Sequence, residues 1–159
     1  MLASDVGWAS FPASGKVIMQ SSDKITSFDI VNHPKVKGLR MTRQRAEVFK
    51  TLMSYRDHPT AGDVFERVKQ TMPNISLATI YNCLEALVQH GAVRQVNFER
   101  ESSRYCPNLS EHGHFHDEET GRIIDIPLKK GAKLSDLLEL PEGAQIDNLE
   151  ITLRGRVAQ

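Results

Sequence analysis

The chain has 159 residues, 40% hydrophobic and 25% charged, with 20 Lys/Arg against 20 Asp/Glu, a composition ordinary for a soluble globular protein of one large or two small domains. No apolar run approaches the roughly 20 residues of a membrane span, and residues 1–20 mix Asp5, Pro12, Ser14 and Lys16 into what a secretory signal would keep apolar, so the expected location is cytoplasmic with no membrane partner. Two cysteines, Cys83 and Cys106, give no disulfide framework and no Cys-x-x-Cys zinc clamp. The zero net charge hides a split. Residues 35–108 hold 12 Lys/Arg against 7 Asp/Glu, a net of +5, whereas residues 109–159 hold 6 against 10, a net of −4. A basic module followed by an acidic one suits a chain that meets a polyanion with its first part only.

Residues 1–24 are rich in Ser, Ala and Gly without sustained period and read as a disordered leader. Residues 25–38 have room for one short helix ended near His33-Pro34. From Thr42, a plausible N-cap, Ala46, Phe49, Leu52 and Met53 fall on one helical face. Asp57-His58-Pro59 breaks the chain, and Thr60-Ala61-Gly62-Asp63 resembles a capping box with Asp in place of Glu. Val64, Phe65, Val68 and Met72 line the second helix, which Pro73-Asn74 ends. Ser76 caps a third helix with Ile80, Leu84, Leu87 and Val88 as its buried stripe and Gly91 as its left-handed C′ residue. Ala78, Asn82, Glu85 and Gln89 face the other way, with Thr79 and Tyr81 on the flanks. Residues 93–98 and 103–106 read as two strands joined by Glu99-Arg100-Glu101-Ser102.

Three helices followed by a hairpin are the pattern of a winged helix-turn-helix, whose third helix enters the major groove of double-stranded DNA. The alternative is an ordinary helical core with a hairpin. The expected class is α+β: an N-terminal winged helix-turn-helix over residues 25–107, then a small β-β-α-β dimerisation and metal-binding domain over residues 108–159. In the latter, strands 112–117 and 122–126 flank a turn at 118–121. Leu134, Leu137 and Leu138 line a short helix stopped by Pro141, and Leu149, Ile151 and Leu153 alternate in a last strand. About fifty residues make a marginal core, which a homodimer would relieve.

His112, His114 and His116 stand at alternate positions, so in a strand their imidazoles share a face. If 118–121 is a four-residue loop, Asp117 pairs with Arg122, and His114 with Asp125. Two imidazoles and a carboxylate then converge, a set suited to zinc, iron(II) or manganese(II). His58 is the candidate fourth ligand from the other domain; the plainer reading is a loop histidine on the surface. His116 is a further ligand or a spare, and Glu111 can serve a second site. Arg40, Arg43 and Arg45 are the candidate phosphate contacts, and Ser76, Ala78, Thr79, Tyr81 and Asn82 the candidate DNA-facing residues of the third helix.

The stretches Leu39-Arg40-Met41-Thr42-Arg43-Gln44-Arg45, Asp57-His58-Pro59-Thr60-Ala61 and Ser76-Leu77-Ala78-Thr79-Ile80-Tyr81-Asn82, with His112-x-His114 and Gly121-Arg122-Ile123-Ile124-Asp125, resemble the ferric uptake regulator (Fur) superfamily over residues 36–156. The resemblance implies a dimeric, metal-responsive transcription factor, usually a repressor, acting on iron homeostasis or peroxide stress genes. It implies one regulatory metal site per subunit on His58, His112, His114 and Asp125, and base contact by Tyr81. Asn82 looks like the peroxide-sensing branch. Two departures stand out. Asp117 and Thr120 occupy positions where the family usually has Cys-x-x-Cys, so no structural zinc held by four cysteines is expected, as in the iron response regulator (Irr) branch. Cys106 stands where the family usually has an acidic ligand; a thiolate there favours softer metals, and a buried apolar cysteine is the alternative. Cys106-Pro107 is also a pair seen in haem-regulated proteins, so a haem-responsive, Irr-like regulator is an alternative function. A third is a small metalloenzyme in which two His and an Asp activate water; no separate general base accompanies them, and no enzyme is expected.

Overall fold

A computed structural model describes residues 30, 32–55, 57–133, 136, 138–146 and 149–157. The expected leader at 1–24 lies outside the described residues. The chain divides into two compact units, the first ending at Pro107 and the second beginning at Asn108.

In the first unit a 3-10 turn, Pro34–Val36, follows His33 and is followed by three helices: α1 (Arg43–Tyr55), α2 (Ala61–Lys69) and α3 (Leu77–Gln89). Each helix starts where a side chain can take up an orphan backbone donor. Thr42 Oγ1 accepts from the Arg45 N–H at 3.2 Å, and Ser76 Oγ accepts from the Thr79 N–H at 3.1 Å. Thr60 and Asp63 form the full reciprocal box: Thr60 Oγ1 accepts from the Asp63 N–H, and Asp63 Oδ2 accepts from the Thr60 N–H at 2.8 Å. Burial pushes the Asp63 carboxyl up, but the Thr60 hydroxyl and backbone bonds outweigh it and hold the group below its ordinary value. α2 stops at Lys69, ahead of Pro73, with the N–H of Gln70 folding back onto the Arg67 and Val68 carbonyls. α3 ends on Gly91 at φ +73°, with Gly91 N–H bonded to Val88 O and Ala92 N–H to Leu87 O, the paired bonds of a Schellman cap.

Val48, Phe49, Leu52, Val64, Val68, Ile80, Leu84 and Leu87 are fully buried and form one apolar core with Ile30, Val36 and Tyr105. Strands β1 (Arg94–Val96) and β2 (Arg104–Cys106) pair antiparallel, Gln95 opposite Tyr105. They are shorter than the sequence pattern suggests, because Asn97 leaves the ladder to join Gln95 and Ser103 in a side-chain network. The outer edge of β2 meets the segment before α2: Tyr105 N–H bonds Pro59 O at 3.0 Å, and Thr60 bridges to Arg104.

The second unit is a three-stranded sheet in the order β4-β3-β5, with β3 (His112–Asp117) between β4 (Arg122–Pro127) and β5 (Thr152–Gly155). β3 and β4 are antiparallel with Asp117 opposite Arg122 and His114 opposite Asp125, the register a four-residue loop demands. β5 runs parallel to β3, Thr152 opposite His114. The approach is close at two glycines: a Cβ at Gly113 would stand 3.4 Å from the Ile151 carbonyl oxygen, and one at Gly155 3.3 Å from the Phe115 ring. The short helix expected around Leu134 and Leu137 falls on residues outside those described, and Leu138 is non-helical and exposed.

Among the described residues, no helix is long and apolar enough to cross a membrane.

Candidate metal centre and nucleic-acid face

The sheet of the second unit carries a buried donor cluster. His112 and His114, both buried, sit two residues apart on one face of β3, with Asp125 across from His114 on β4. His112 Nε2 lies 3.0 Å from His114 Nε2 and 3.3 Å from Asp125 Oδ1, and His114 Nε2 lies 3.8 Å from the same oxygen. The groups behind them fix this aim. The Ser110 carbonyl can only accept, so the 2.7 Å contact with His112 Nδ1 places the ring proton there and leaves the Nε2 lone pair facing the cluster. Asn108 donates its amide to Asp125 Oδ2 at 2.8 Å, and its own carbonyl accepts from the Ser110 hydroxyl and N–H. One carboxylate oxygen is thereby anchored and the other turned to the imidazoles.

In neutral rings this set has at most one proton to share among three electron-pair donors. Their separations are those given by bonds of about 2.0–2.2 Å to one centre. Both the donor types and their spacing fit a divalent cation.

The first unit carries a second, smaller set. His58 and Cys106 are buried, with donor atoms within 4.8 Å of each other. They meet because β2 lies along the loop before α2. His58 itself adopts φ +53°, the left-handed region that a non-glycine residue enters at a cost of about 1–3 kcal/mol and keeps only when its surroundings fix it. The constraints are visible. Arg104 Nη1 donates to the His58 carbonyl at 3.2 Å. Asp57 accepts both arms of the Arg67 guanidinium at 2.9 and 2.6 Å, and that guanidinium lies 4.2 Å over the Tyr55 ring. The pair also holds the Arg67 guanidinium above its ordinary pKa, the Asp57 hydrogen bonds being the largest cause. Cys106 is buried, which favours a bare ion or plain packing over a porphyrin at that sulfur.

His116 shares the face of His112 and His114, yet it is one step farther along, opposite Ile123, and falls outside the donor cluster that His112 and His114 form with Asp125. Glu111 precedes the strand, is exposed, and lines an open pocket of about 410 Å³ with Ser110, Lys129 and Lys130. Asn108, Ser110, Arg67 and Arg104 had no distinguishing signal in the sequence; their roles come from contacts with residues that no periodicity connects.

The helix face expected to meet DNA is open. Tyr81 is 52% exposed and Leu77 42%, both unusual for side chains of their size, and Ala78 and Asn82 are exposed beside them. Ser76 and Thr79 spend their hydroxyls on each other at 2.8 Å, which makes them capping groups first. Arg40 and Arg43 are exposed, while Arg45 folds back to the Arg40 carbonyl at 2.8 Å. A cleft of about 580 Å³ runs between the starts of α2 and α3 and the hairpin, lined by Gly62, Leu77, Tyr81, Gln95, Ser102 and Ser103 among others.

The profile of the ferric uptake regulator family matches residues 36–154, three quarters of the chain. The chain belongs to the ferric uptake regulator family. Members of this Fur family are transcriptional regulators and not enzymes, which removes the metalloenzyme alternative. The peroxide-responsive repressor PerR of Staphylococcus aureus is 38% identical over 88 residues, 55% of this chain and 60% of that repressor; the chain thus spans well under the full length of the curated relatives it matches. The Campylobacter jejuni peroxide stress regulator superposes with a TM-score of 0.61 at 29% identity, over 73% of this chain and 87% of that one. The Pseudomonas aeruginosa ferric uptake regulator with manganese gives 0.63 at 22% identity, over 79% and 96%. The Helicobacter pylori Fur gives 0.67 at 18% identity, over 86% and 95%. At those last two identities the likeness speaks for the mixed helix-and-sheet fold.

Proposed function

We propose that this protein is a cytoplasmic, metal-controlled transcriptional regulator that binds double-stranded DNA as a homodimer, most simply as a repressor. The convergence of His112, His114 and Asp125 in a Fur-family chain carries the reading. In it, His58 and Cys106 from the first unit and His112, His114 and Asp125 from the second share one cation per subunit. The cation supplies charge neutralisation and a cross-link. The first unit acts as a winged helix, with α3 in the major groove, the hairpin as wing, and Arg40, Arg43 and Arg45 on phosphates. When the ligands close on the ion, the two copies of α3 are held for groove faces about 34 Å apart. Exposed Leu138, Leu140, Ile146, Leu153 and Val157 support a second copy packing on the other unit.

A thiolate among nitrogen and carboxylate donors favours zinc over iron(II) or manganese(II). The test is a mobility shift of metal-stripped and zinc-reloaded protein on duplexes selected from a random pool by the reloaded form, alongside elemental analysis. One zinc per chain and retention only when zinc is present are expected, with retention falling steeply as salt rises. Equal retention with and without zinc, iron(II) or manganese(II) sinks the switch.

The likeness to two peroxide regulators favours a second reading, in which peroxide would add one oxygen to the ring of His58 or His112 and lose the other as water, iron(II) held by these ligands would activate the O–O bond, and DNA would be released. Mass spectrometry of the iron form after peroxide decides it: no added oxygen on either ring excludes it.

A further inference from the structure

Arg104 reaches two ways. It lies in β2, two residues before Cys106, so the two side chains share the face opposite Tyr105, which is buried in the helical core. One arm of its guanidinium donates to the carbonyl of His58, a residue 46 positions away that stands at φ +53°. Another arm lies 3.8 Å from the Glu101 carboxylate in the hairpin loop. Its main chain joins the same loop of ligand residues through the bridge to Thr60. The far end of the hairpin is itself stiffened. Ser103 donates to Asn97 at 2.7 Å and accepts from Gln95 at 3.0 Å, and the Glu101 N–H closes a turn on Phe98 O. The His58 peptide and Glu101 are thus joined through a single side chain, by one hydrogen bond and one longer ion pair. A lysine does this less well, because one ammonium on a flexible stem does not hold two acceptors in a fixed plane.

We propose that Arg104 is a positioning residue that ties the His58 loop to the hairpin loop, so that ion binding at His58 and Cys106 is transmitted to residues 97–103. This rests on the functional reading above, in which those two residues are ligands. It adds the route by which occupancy reaches the part of the first unit that flanks the α3 cleft.

The experiment is amide hydrogen exchange on the full chain, stripped of metal and then saturated with zinc, for the unchanged protein and for Arg104→Gln, Arg104→Lys and Glu101→Gln. Zinc affinity is measured in parallel by chelator competition. In the unchanged protein zinc should slow exchange across 97–103. Arg104→Gln should weaken zinc binding by about tenfold, the usual cost of losing a group that orients a ligand, and at saturating zinc the slowing at 97–103 should vanish. Arg104→Lys should restore it only in part. Glu101→Gln should bind zinc as tightly as the unchanged protein and still lose most of the slowing, which a merely structural role for Arg104 does not foresee. It also decides the matter if Arg104→Gln does not fold. Full slowing in Glu101→Gln overturns the proposal, as does tight zinc binding by the unchanged protein with no effect at 97–103; in that last case the metal reading stands. Absence of zinc binding by the unchanged protein takes down both, and so separates the two failures.

Discussion

The two units bury opposite kinds of side chain. The first has an apolar interior, with Phe49, Leu52, Val64, Ile80 and Leu84 fully out of water. In the second, the buried side chains among the described residues are His112, His114, His116 and Asp117, with Ile123 the one buried large hydrophobe, while Leu138, Leu140, Ile146, Leu153 and Val157 are exposed. The first unit is stabilised by what it contains. The second has polar groups inside and apolar ones outside; under the proposed function a cation would cover the donors and a second copy the apolar side chains. Under the proposed function that asymmetry has a use, because a ligand shifts an equilibrium only by its differential affinity for the two states.

The sharpest way to break this contrast is Phe49→Ala. Emptying so well packed a site should cost about 3–5 kcal/mol, read by urea unfolding of the metal-stripped protein; a cost near zero would show that the first unit does not rest on its apolar interior. His112→Ala should leave the first unit's unfolding unchanged in the metal-stripped protein and abolish the stabilisation that zinc gives; zinc stabilisation persisting in the variant would exclude His112 as a ligand. In the unchanged protein that stabilisation should be about 2.7 kcal/mol at a hundredfold excess of zinc over its Kd. Leu153→Asp puts a charge on an exposed edge-strand leucine. If that face pairs with a second copy, the dimer dissociation constant measured by sedimentation should rise at least about tenfold, worth roughly 1.4 kcal/mol; an unmoved constant assigns the dimer to another surface.

The smallest effect concerns Asp117. The Thr120 hydroxyl, followed by the N–H groups of Glu119, Thr120 and Val157, holds its carboxyl below the ordinary value. A carboxyl lowered by folding contributes stability that is present above its unfolded pKa and is lost as pH falls through the folded one. Melting curves taken from about pH 5 downward should therefore decline in the unchanged protein. In Asp117→Asn that part of the slope should be missing; an identical slope would place the acid sensitivity elsewhere.

Much of this was legible from residue types and spacing. Thr42, Thr60 with Asp63, and Ser76 mark helix starts because each offers an oxygen one turn ahead of an orphan N–H, and Gly91 marks an end because few other residues tolerate its φ. The pairing of His114 with Asp125 followed from counting back from a four-residue loop. What the sequence withheld is non-local. Nothing around Asn108 reveals that it anchors Asp125, seventeen residues on, and nothing around Arg104 points to the carbonyl of His58. The parallel run of β5 beside β3 likewise depends on a partner that the local pattern does not contain.

The turn from Asp117 to Gly121 is closed by a carboxylate, a hydroxyl and backbone amides, with Thr120 Oγ1 at 2.5 Å from Asp117 Oδ2 and the Gly121 N–H on Asp117 O at 2.8 Å. These groups are indifferent to oxidants and chelators alike. The tip of the sheet should thus keep its shape under thiol-blocking reagents and chelators.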